Sequence, residues 1–168
     1  LLAPGFIDVQ VNGGGGALLN DAPTLETVRT IAASHRKFGT VGLLPTVITD
    51  APSVLAKAIE AVRSARQSNV PGILGIHIEG PFLDVERKGA HAVRFIREMT
   101  EDDVAWLEKL DCGAVMVTLA PNKVRPEQIS RLAAHGVLVS LGHAEASYNE
   151  AMAALGSGAR AFTHLFNA

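Results

Sequence analysis

The sequence predicts an α/β fold: a (β/α)8 TIM-type barrel with about six of its strand–helix units present. Three observations predict it. First, short and almost wholly apolar runs recur along the 168 residues, separated by amphipathic helical segments. Such runs are strands buried on both faces of a parallel sheet. Second, no dinucleotide-type glycine fingerprint follows any of them, which disfavours a doubly wound sheet. Third, Glu79, His143 and His164 each stand just past the end of an apolar run. Parallel barrels collect their functional groups at that carboxyl edge.

The elements follow in order. Residues 6–11 read as a first strand and residues 13–16 as a glycine-rich loop. Thr24 reads as an N-cap of a helix over 25–38, closed by Gly39. Residues 41–48 form a second strand that contains Pro45. Asp50 or Ser53 caps a helix that ends near Gln67. Residues 73–78 are the third strand, followed by an irregular segment over 80–99. Thr100-Glu101-Asp102-Asp103 opens a helix that runs to Leu110, its acids facing the helix dipole. Residues 115–119 are strand four. A helix over 126–135 has proline in its first turn, and residues 137–141 are strand five. Ser147 caps a helix to Leu155, and residues 160–163 are strand six. The βα rhythm carries no sequence repeat beneath it.

Composition narrows the function. Hydrophobic residues make up 48% and charged ones 19%, and the formal net charge is −2. That balance gives no electrostatic case for nucleic acid or an anionic membrane. No window is apolar for long enough to span a bilayer, and no basic region precedes an apolar stretch at the N-terminus. The single Cys112 excludes an internal disulfide, fits a reducing, cytoplasmic setting, and reads as a small buried residue. The chain lacks an initiator Met and stops just after a site-like His, so we expect it to be a piece of a longer one.

Glu79, His143 and His164 offer one oxygen and two nitrogens, a set suited to a hydrolytic Zn²⁺ with an open position for water. Strand alternation puts His77 on the same side as Glu79 and one layer deeper, where it reads as a hydrogen-bonded interior histidine. Asp8, Gln10 and Asn12 share one side of the first strand. Polar side chains facing inward there must be paired or line a site. His91 has two readings, a hydrogen bond to substrate or a solvent-facing loop position. His35 and His135 sit near helix C-termini and read as structural, and Asp102 and Asp103 as helix-start charges.

Five stretches resemble the N-acetylglucosamine-6-phosphate deacetylase family of the amidohydrolase superfamily. They are Pro4-Gly5-Phe6-Ile7-Asp8-Val9-Gln10-Val11-Asn12-Gly13, His77-Ile78-Glu79-Gly80-Pro81-Phe82, Lys88-Gly89-Ala90-His91, Leu141-Gly142-His143 and Thr163-His164-Leu165-Phe166-Asn167-Ala168. They occur in the family's order and span the chain. The resemblance implies a metal-dependent barrel hydrolase of the amidohydrolase type, acting on a linear carbon–nitrogen amide in amino-sugar catabolism. The reaction converts N-acetylglucosamine 6-phosphate to glucosamine 6-phosphate and acetate, with a metal-activated water attacking the carbonyl.

Residues 1–168 would then be a partial barrel domain, strands one to six. The last barrel units and a small flanking β-sandwich would be absent. Glu79, His143 and His164 match the family's metal ligands. Gln10 and Asn12 stand where most amidohydrolases carry a His-x-His pair, which implies one divalent ion, Zn²⁺ with Fe²⁺ as the alternative. His91 and Ala90 match a substrate-contacting segment, and Asn167 and Ala168 a turn that helps hold the sugar phosphate. No catalytic acid–base residue lies in this chain; the family's Asp is expected downstream of Ala168. A homodimer is expected of the full-length protein, and no activity of these residues alone.

Two other readings stand beside this one. A dihydroorotase- or deaminase-like amidohydrolase would carry the His-x-His pair that Gln10 and Asn12 replace. A non-catalytic sugar-phosphate-binding barrel would not need an intact Glu79, His143 and His164. The residues do not distinguish N-acetylglucosamine from N-acetylgalactosamine phosphates.

Overall fold

A computed structural model describes residues 2–167. They form two compact units. Unit 1 comprises 2–47, 51–77 and 111–114, and unit 2 comprises 48–50, 78–110 and 115–167. The elements are β1 (Phe6–Val11), β2 (Gly13–Gly14), β3 (Ala17–Leu18), α1 (Leu25–Arg36), β4 (Thr40–Ile48), α2 (Pro52–Gln67), β5 (Gly75–Glu79), α3 (Glu101–Leu107), β6 (Ala114–Leu119), α4 (Pro126–Ala134), β7 (Leu138–Leu141), α5 (Tyr148–Gly156) and β8 (Ala161–Phe162). Strand order is β1-β4-β5 for the strands mainly of unit 1 and β6-β7-β8 for those mainly of unit 2. The β1–β4, β6–β7 and β7–β8 pairs are parallel. Sequential parallel strands with helical crossovers are the pattern of a partial (β/α)8 barrel.

In unit 1, Thr24 caps α1 by accepting the Thr27 N–H at 3.2 Å, as its sequence predicts. Helix α1 buries Val28, Ile31 and Ala32, and α2 buries Ala58, Ile59, Ala61, Val62 and Ala65. The two helices pack on each other. Small residues on α2 let its backbone come close, and each buried Val or Ile contributes about 1.5–3 kcal/mol.

Pro45 does not end β4, which runs on to Ile48. The β1–β4 register shifts between Asp8 and Val11, and the Val11 N–H donates instead to Thr46 Oγ1 at 2.9 Å. A side-chain hydroxyl thus takes the place of a ladder partner beside the proline.

Several details differ from expectation. Residues 13–16 are not simply a loop: β2 and β3 pair as a small antiparallel hairpin. Neither Asp50 nor Ser53 caps α2. The helix starts at Pro52, Ala51 is its N-cap, and no side-chain cap bond forms. Proline at the first position already lacks the N–H that a cap would satisfy. Helices α1, α3 and α4 end one to three residues earlier than expected. On β1, Phe6, Ile7 and Val9 are exposed while Val11 is buried. The irregular segment holds two 3₁₀ turns, Val85–Arg87 and Val93–Phe95.

In unit 2, α3 carries a reciprocal capping box between Thr100 and Asp103, and α5 one between Ser147 and Glu150. Asp103 also receives a two-point bond from Arg97, at 2.6 and 2.7 Å. In unit 1, Cys112 is buried, as expected of a small apolar residue.

Two predictions follow from this packing. A Cβ on Gly75 would lie 1.8 Å from the Ala114 carbonyl oxygen and 2.5 Å from its nitrogen. Because the obstacle is backbone, Gly75→Ala should destabilise by more than the about 1–3 kcal/mol of ordinary overpacking, read as a lost or strongly lowered thermal transition. The second concerns acid. Burial works to raise the Asp103 pKa, but the Arg97 and Thr100 bonds outweigh it and hold the carboxyl below its ordinary value. Its stabilisation is therefore complete above the unfolded value of about 3.9 and fades as pH falls through the lower folded value. Asp103→Asn should cost about 1 kcal/mol in urea melts at pH 7 and progressively less toward pH 2–3.

Candidate metal centre

Glu79 is the last residue of β5, a strand buried at every position. Its side chain is 3% exposed. His143 lies two residues past β7 and His164 two past β8. Both have left-handed backbones, with φ of 51° and 55°. That conformation is uncommon for a residue with a Cβ, and it clusters where a site needs a side chain re-aimed.

The two turns aim both imidazoles at one atom. His143 Nε2 and His164 Nε2 each lie 3.0 Å from Glu79 Oε1. The rings meet edge to face, 5.2 Å between centroids. His91 completes the group, with Nε2 3.9 Å from the same oxygen and its ring 4.5 Å from that of His143. His143 is buried at 6% side-chain exposure, while His164 stands at the rim at 37%. The donor atoms of Glu79, His91 and His143 all lie within 4.8 Å of one another, close enough to hold a metal ion.

The two buried histidines are held in opposite tautomers. The Arg87 carbonyl lies 2.8 Å from His143 Nδ1. A carbonyl only accepts, so Nδ1 carries the proton and Nε2 of the neutral ring presents a lone pair to Glu79. Two lone pairs at 3.0 Å require a cation between or upon them. Correspondingly, the Glu79 hydrogen bond, opposed by burial and aided by the Arg87 carbonyl, raises the His143 pKa. A carboxylate and an imidazole that both turn lone pairs inward, the imidazole fixed by a backbone carbonyl, fit a divalent metal.

For His91 the partner is the Thr49 backbone N–H, which lies 3.2 Å from Nδ1 and only donates. The Thr49 hydroxyl lies 2.8 Å from the same nitrogen. Nδ1 therefore accepts, and Nε2 carries the hydrogen toward the centre. Burial lowers the His91 pKa to about 4, with the Glu79 charge pulling back and the other two histidines acting with burial. A neutral ring with N–H pointing inward is a hydrogen-bond donor. This resolves the two readings of His91 against a solvent-facing position, since the residue is 4% exposed. Gly89 makes the closure possible: its φ is +54°, and a Cβ there would lie 3.3 Å from the His143 ring.

The remaining candidates have separate surroundings. In unit 1, His77 is fully buried with Nδ1 3.2 Å from Thr46 Oγ1, an interior hydrogen-bonded histidine as read from the strand. Gln10 and Asn12 are half-buried in the same unit. The Gln10 N–H donates to Asp8 Oδ1, and the Asn12 carbonyl accepts from Leu19. In unit 2, Ala90 is exposed, and Asn167 closes a turn by donating its N–H to the His164 carbonyl at 2.7 Å. Ala168 lies outside the described residues. Asn167 and Phe166 line a cavity of about 370 Å³ with the Arg87–Glu145 ion pair, Ala144 and Ala146. His35 meets the Gly13 carbonyl at 3.0 Å, and His135 is exposed. Thr49 and the Arg87 carbonyl were not foreseen. A threonine after a strand is an ordinary residue, and a backbone carbonyl has no sequence signature.

Relatives match these residues from end to end. The chain is 49% identical over 166 residues to the N-acetylgalactosamine-6-phosphate deacetylase of Shewanella sp. (strain ANA-3), covering 99% of this chain and 42% of that protein. It is 35% identical over 167 residues to the N-acetylglucosamine-6-phosphate deacetylase of Haemophilus influenzae, covering 99% and 44%. Its homologues are amino-sugar 6-phosphate deacetylases. The crystal structure of the Pasteurella multocida N-acetylglucosamine-6-phosphate deacetylase superposes with a TM-score of 0.92 at 34% identity, over 98% of this chain and 43% of that one. The chain thus spans less than half the length of the deacetylases it matches. No protein-family model matches it.

The tautomer assignment is directly testable. Long-range ¹H–¹⁵N correlation spectra at pH 7 should show His91 with a protonated Nε2 and an unprotonated Nδ1. The reverse pattern would show that Thr49 does not hold the ring.

Proposed function

We propose that the protein is a metal-dependent deacetylase of N-acetylhexosamine 6-phosphates, releasing acetate and the free amino sugar phosphate. The observation that carries the reading is the Glu79 carboxylate with His143 and His164 both aimed at one of its oxygens, in a chain whose homologues are such deacetylases. N-acetylglucosamine 6-phosphate is the substrate read from the sequence. The Shewanella relative, at 49% identity, bears the name of a galactosamine enzyme. That name favours the galacto epimer as a second reading, and both sugars belong in the assay.

Glu79, His143 and His164 would hold one divalent ion, Zn²⁺ or Fe²⁺. When bound, such an ion supplies Lewis acidity toward the amide carbonyl and lowers the pKa of a water. The protein's own groups do the rest. The Arg87 carbonyl keeps the His143 lone pair inward. His91, neutral and with its Nε2–H inward, can donate to the oxygen on which negative charge develops. The donor is fixed by Thr49 before substrate arrives, so little reorganisation is needed.

The cavity beside Asn167 and Arg87 is of the size that takes a small ligand, and we assign it the sugar-phosphate end. Gln10 and Asn12, poor metal ligands, are consistent with a single ion. The acid–base carboxylate is expected beyond Ala168, and the active form is expected to be a homodimer. Among the described residues, no helix is long and apolar enough to cross a membrane.

Substitutions should separate the roles. Glu79→Gln and His143→Asn should lose bound metal, read by elemental mass spectrometry, and lose deacetylation with it. His91→Gln should keep its metal while kcat falls about 10²–10³-fold, the usual cost of one oxyanion donor. Loss of metal from His91→Gln to the same degree as from His143→Asn would make His91 a ligand and overturn this division. Metal retained with no acetate released from either sugar by the intact protein would favour the non-catalytic binding barrel.

A further inference from the structure

Asp84 is a buried carboxylate that the proposed chemistry does not use. Its side chain is 8% exposed. Three loops meet on it. From its own loop, Oδ1 accepts the Glu86 N–H at 3.2 Å, capping the Val85–Arg87 turn. From the loop after β6, Asn122 Nδ2 donates to Oδ2 at 2.6 Å, and Lys123 Nζ stands 3.9 Å away. From the loop after β7, the Glu145 backbone N–H also bonds the carboxylate.

The backbone of Asp84 is tied to the same places. Its N–H donates to the His143 carbonyl at 2.9 Å, and its carbonyl accepts the Arg87 N–H at 3.1 Å. The Arg87 carbonyl in turn accepts from His143 Nδ1 at 2.8 Å. Asp84, Arg87 and His143 therefore form a closed ring of three hydrogen bonds, with the Asp84 carboxylate bracing it from outside.

We infer that Asp84 is a positioning residue for His143: its carboxylate holds the 85–87 turn against the loops after β6 and β7, and so places the Arg87 carbonyl that orients the ring. The physical case is one of cost. A buried carboxylate is expensive unless its lone pairs are met. Here the cations are the more distant partners: Lys123 stands 3.9 Å off, and Arg87 acts through its charge. Neutral donors from three separate segments meet it instead, which is a poor arrangement for stability alone and a good one for fixing loops to one another. A histidine that binds metal needs its second nitrogen held, and loss of that hold typically weakens metal binding about 10–100-fold.

This inference rests on the metal reading above. The test uses the intact protein, with Zn²⁺ affinity measured by chelator competition and Co²⁺ as a spectroscopic probe of ligand geometry. Asp84→Ala and Asp84→Asn should weaken Zn²⁺ binding about 10–100-fold and shift the Co²⁺ absorption bands. Asn is near in shape, but its amide must turn an N–H toward one of the donors. Ser147→Ala serves as the structural control: it removes the α5 cap, lowers the melting temperature, and leaves both metal readouts unchanged.

A folded Asp84→Asn protein with unaltered Zn²⁺ affinity and Co²⁺ spectrum overturns the inference. Should neither Asp84 variant fold, Asn122→Ala decides by the same readouts, weakened binding supporting the inference and unchanged binding overturning it. Failure of the unsubstituted protein to bind Zn²⁺ or Co²⁺ at all would overturn the metal reading itself, and the inference with it. Binding by that protein together with an unchanged Asp84→Asn overturns the inference alone.

Discussion

A single buried oxygen, Glu79 Oε1, with two histidine nitrogens 3.0 Å away, sets the terms for the rest of this edge of the protein. An ionised carboxylate at 3% exposure cannot be stable among lone pairs. It demands positive charge, and the surrounding imidazoles can supply it as a proton or share it as metal ligands. The adjoining loops are arranged around that demand. Two strand ends turn through left-handed backbone to aim His143 and His164. Gly89 lets the long loop close to within contact of the His143 ring. The 85–87 turn delivers a carbonyl to that ring's far side.

Much of this was legible in the sequence. The strand pattern held because the runs are apolar on both faces, and that signal survives any particular register. Glu79, His143 and His164 stood out because each interrupts the pattern at the same relative place. The caps at Thr24, Thr100 and Ser147 followed from side chains that bond their own neighbours, an interaction local enough to read directly. Pro45 lies inside β4, which ends at Ile48 as read. Beside it the Thr46 hydroxyl accepts the N–H of Val11, 35 residues away in sequence on β1, a contact that no local pattern announces.

What the sequence concealed is mostly backbone. The Arg87 carbonyl and the Thr49 N–H belong to every residue of their kind and carry no side-chain signature. Asp84 was passed over because one carboxylate in a loop is ordinary. Only the meeting of three loops upon it makes it distinctive, and that meeting is a fact of tertiary structure. Phe6, Ile7 and Val9 are likewise exposed, although an apolar run reads as a strand buried on both faces. Their pattern records what a strand can bury, not what is present to bury it.

The two buried histidines show why side-chain identity alone would not have assigned the site. His91 and His143 lie ring against ring, at similar burial, beside the same carboxylate. Composition makes them equivalent. Their roles diverge through the partner at Nδ1: a carbonyl for His143, which leaves a lone pair facing inward, and an N–H for His91, which leaves a hydrogen facing inward. One thus presents a lone pair suited to a cation and the other an N–H suited to an oxygen. The carbonyl and the N–H come from different loops, so the distinction is built by the fold and not by the motif. In the proposed reaction one imidazole would help hold the cation and the other would meet the developing charge, with proton transfer left to a separate carboxylate.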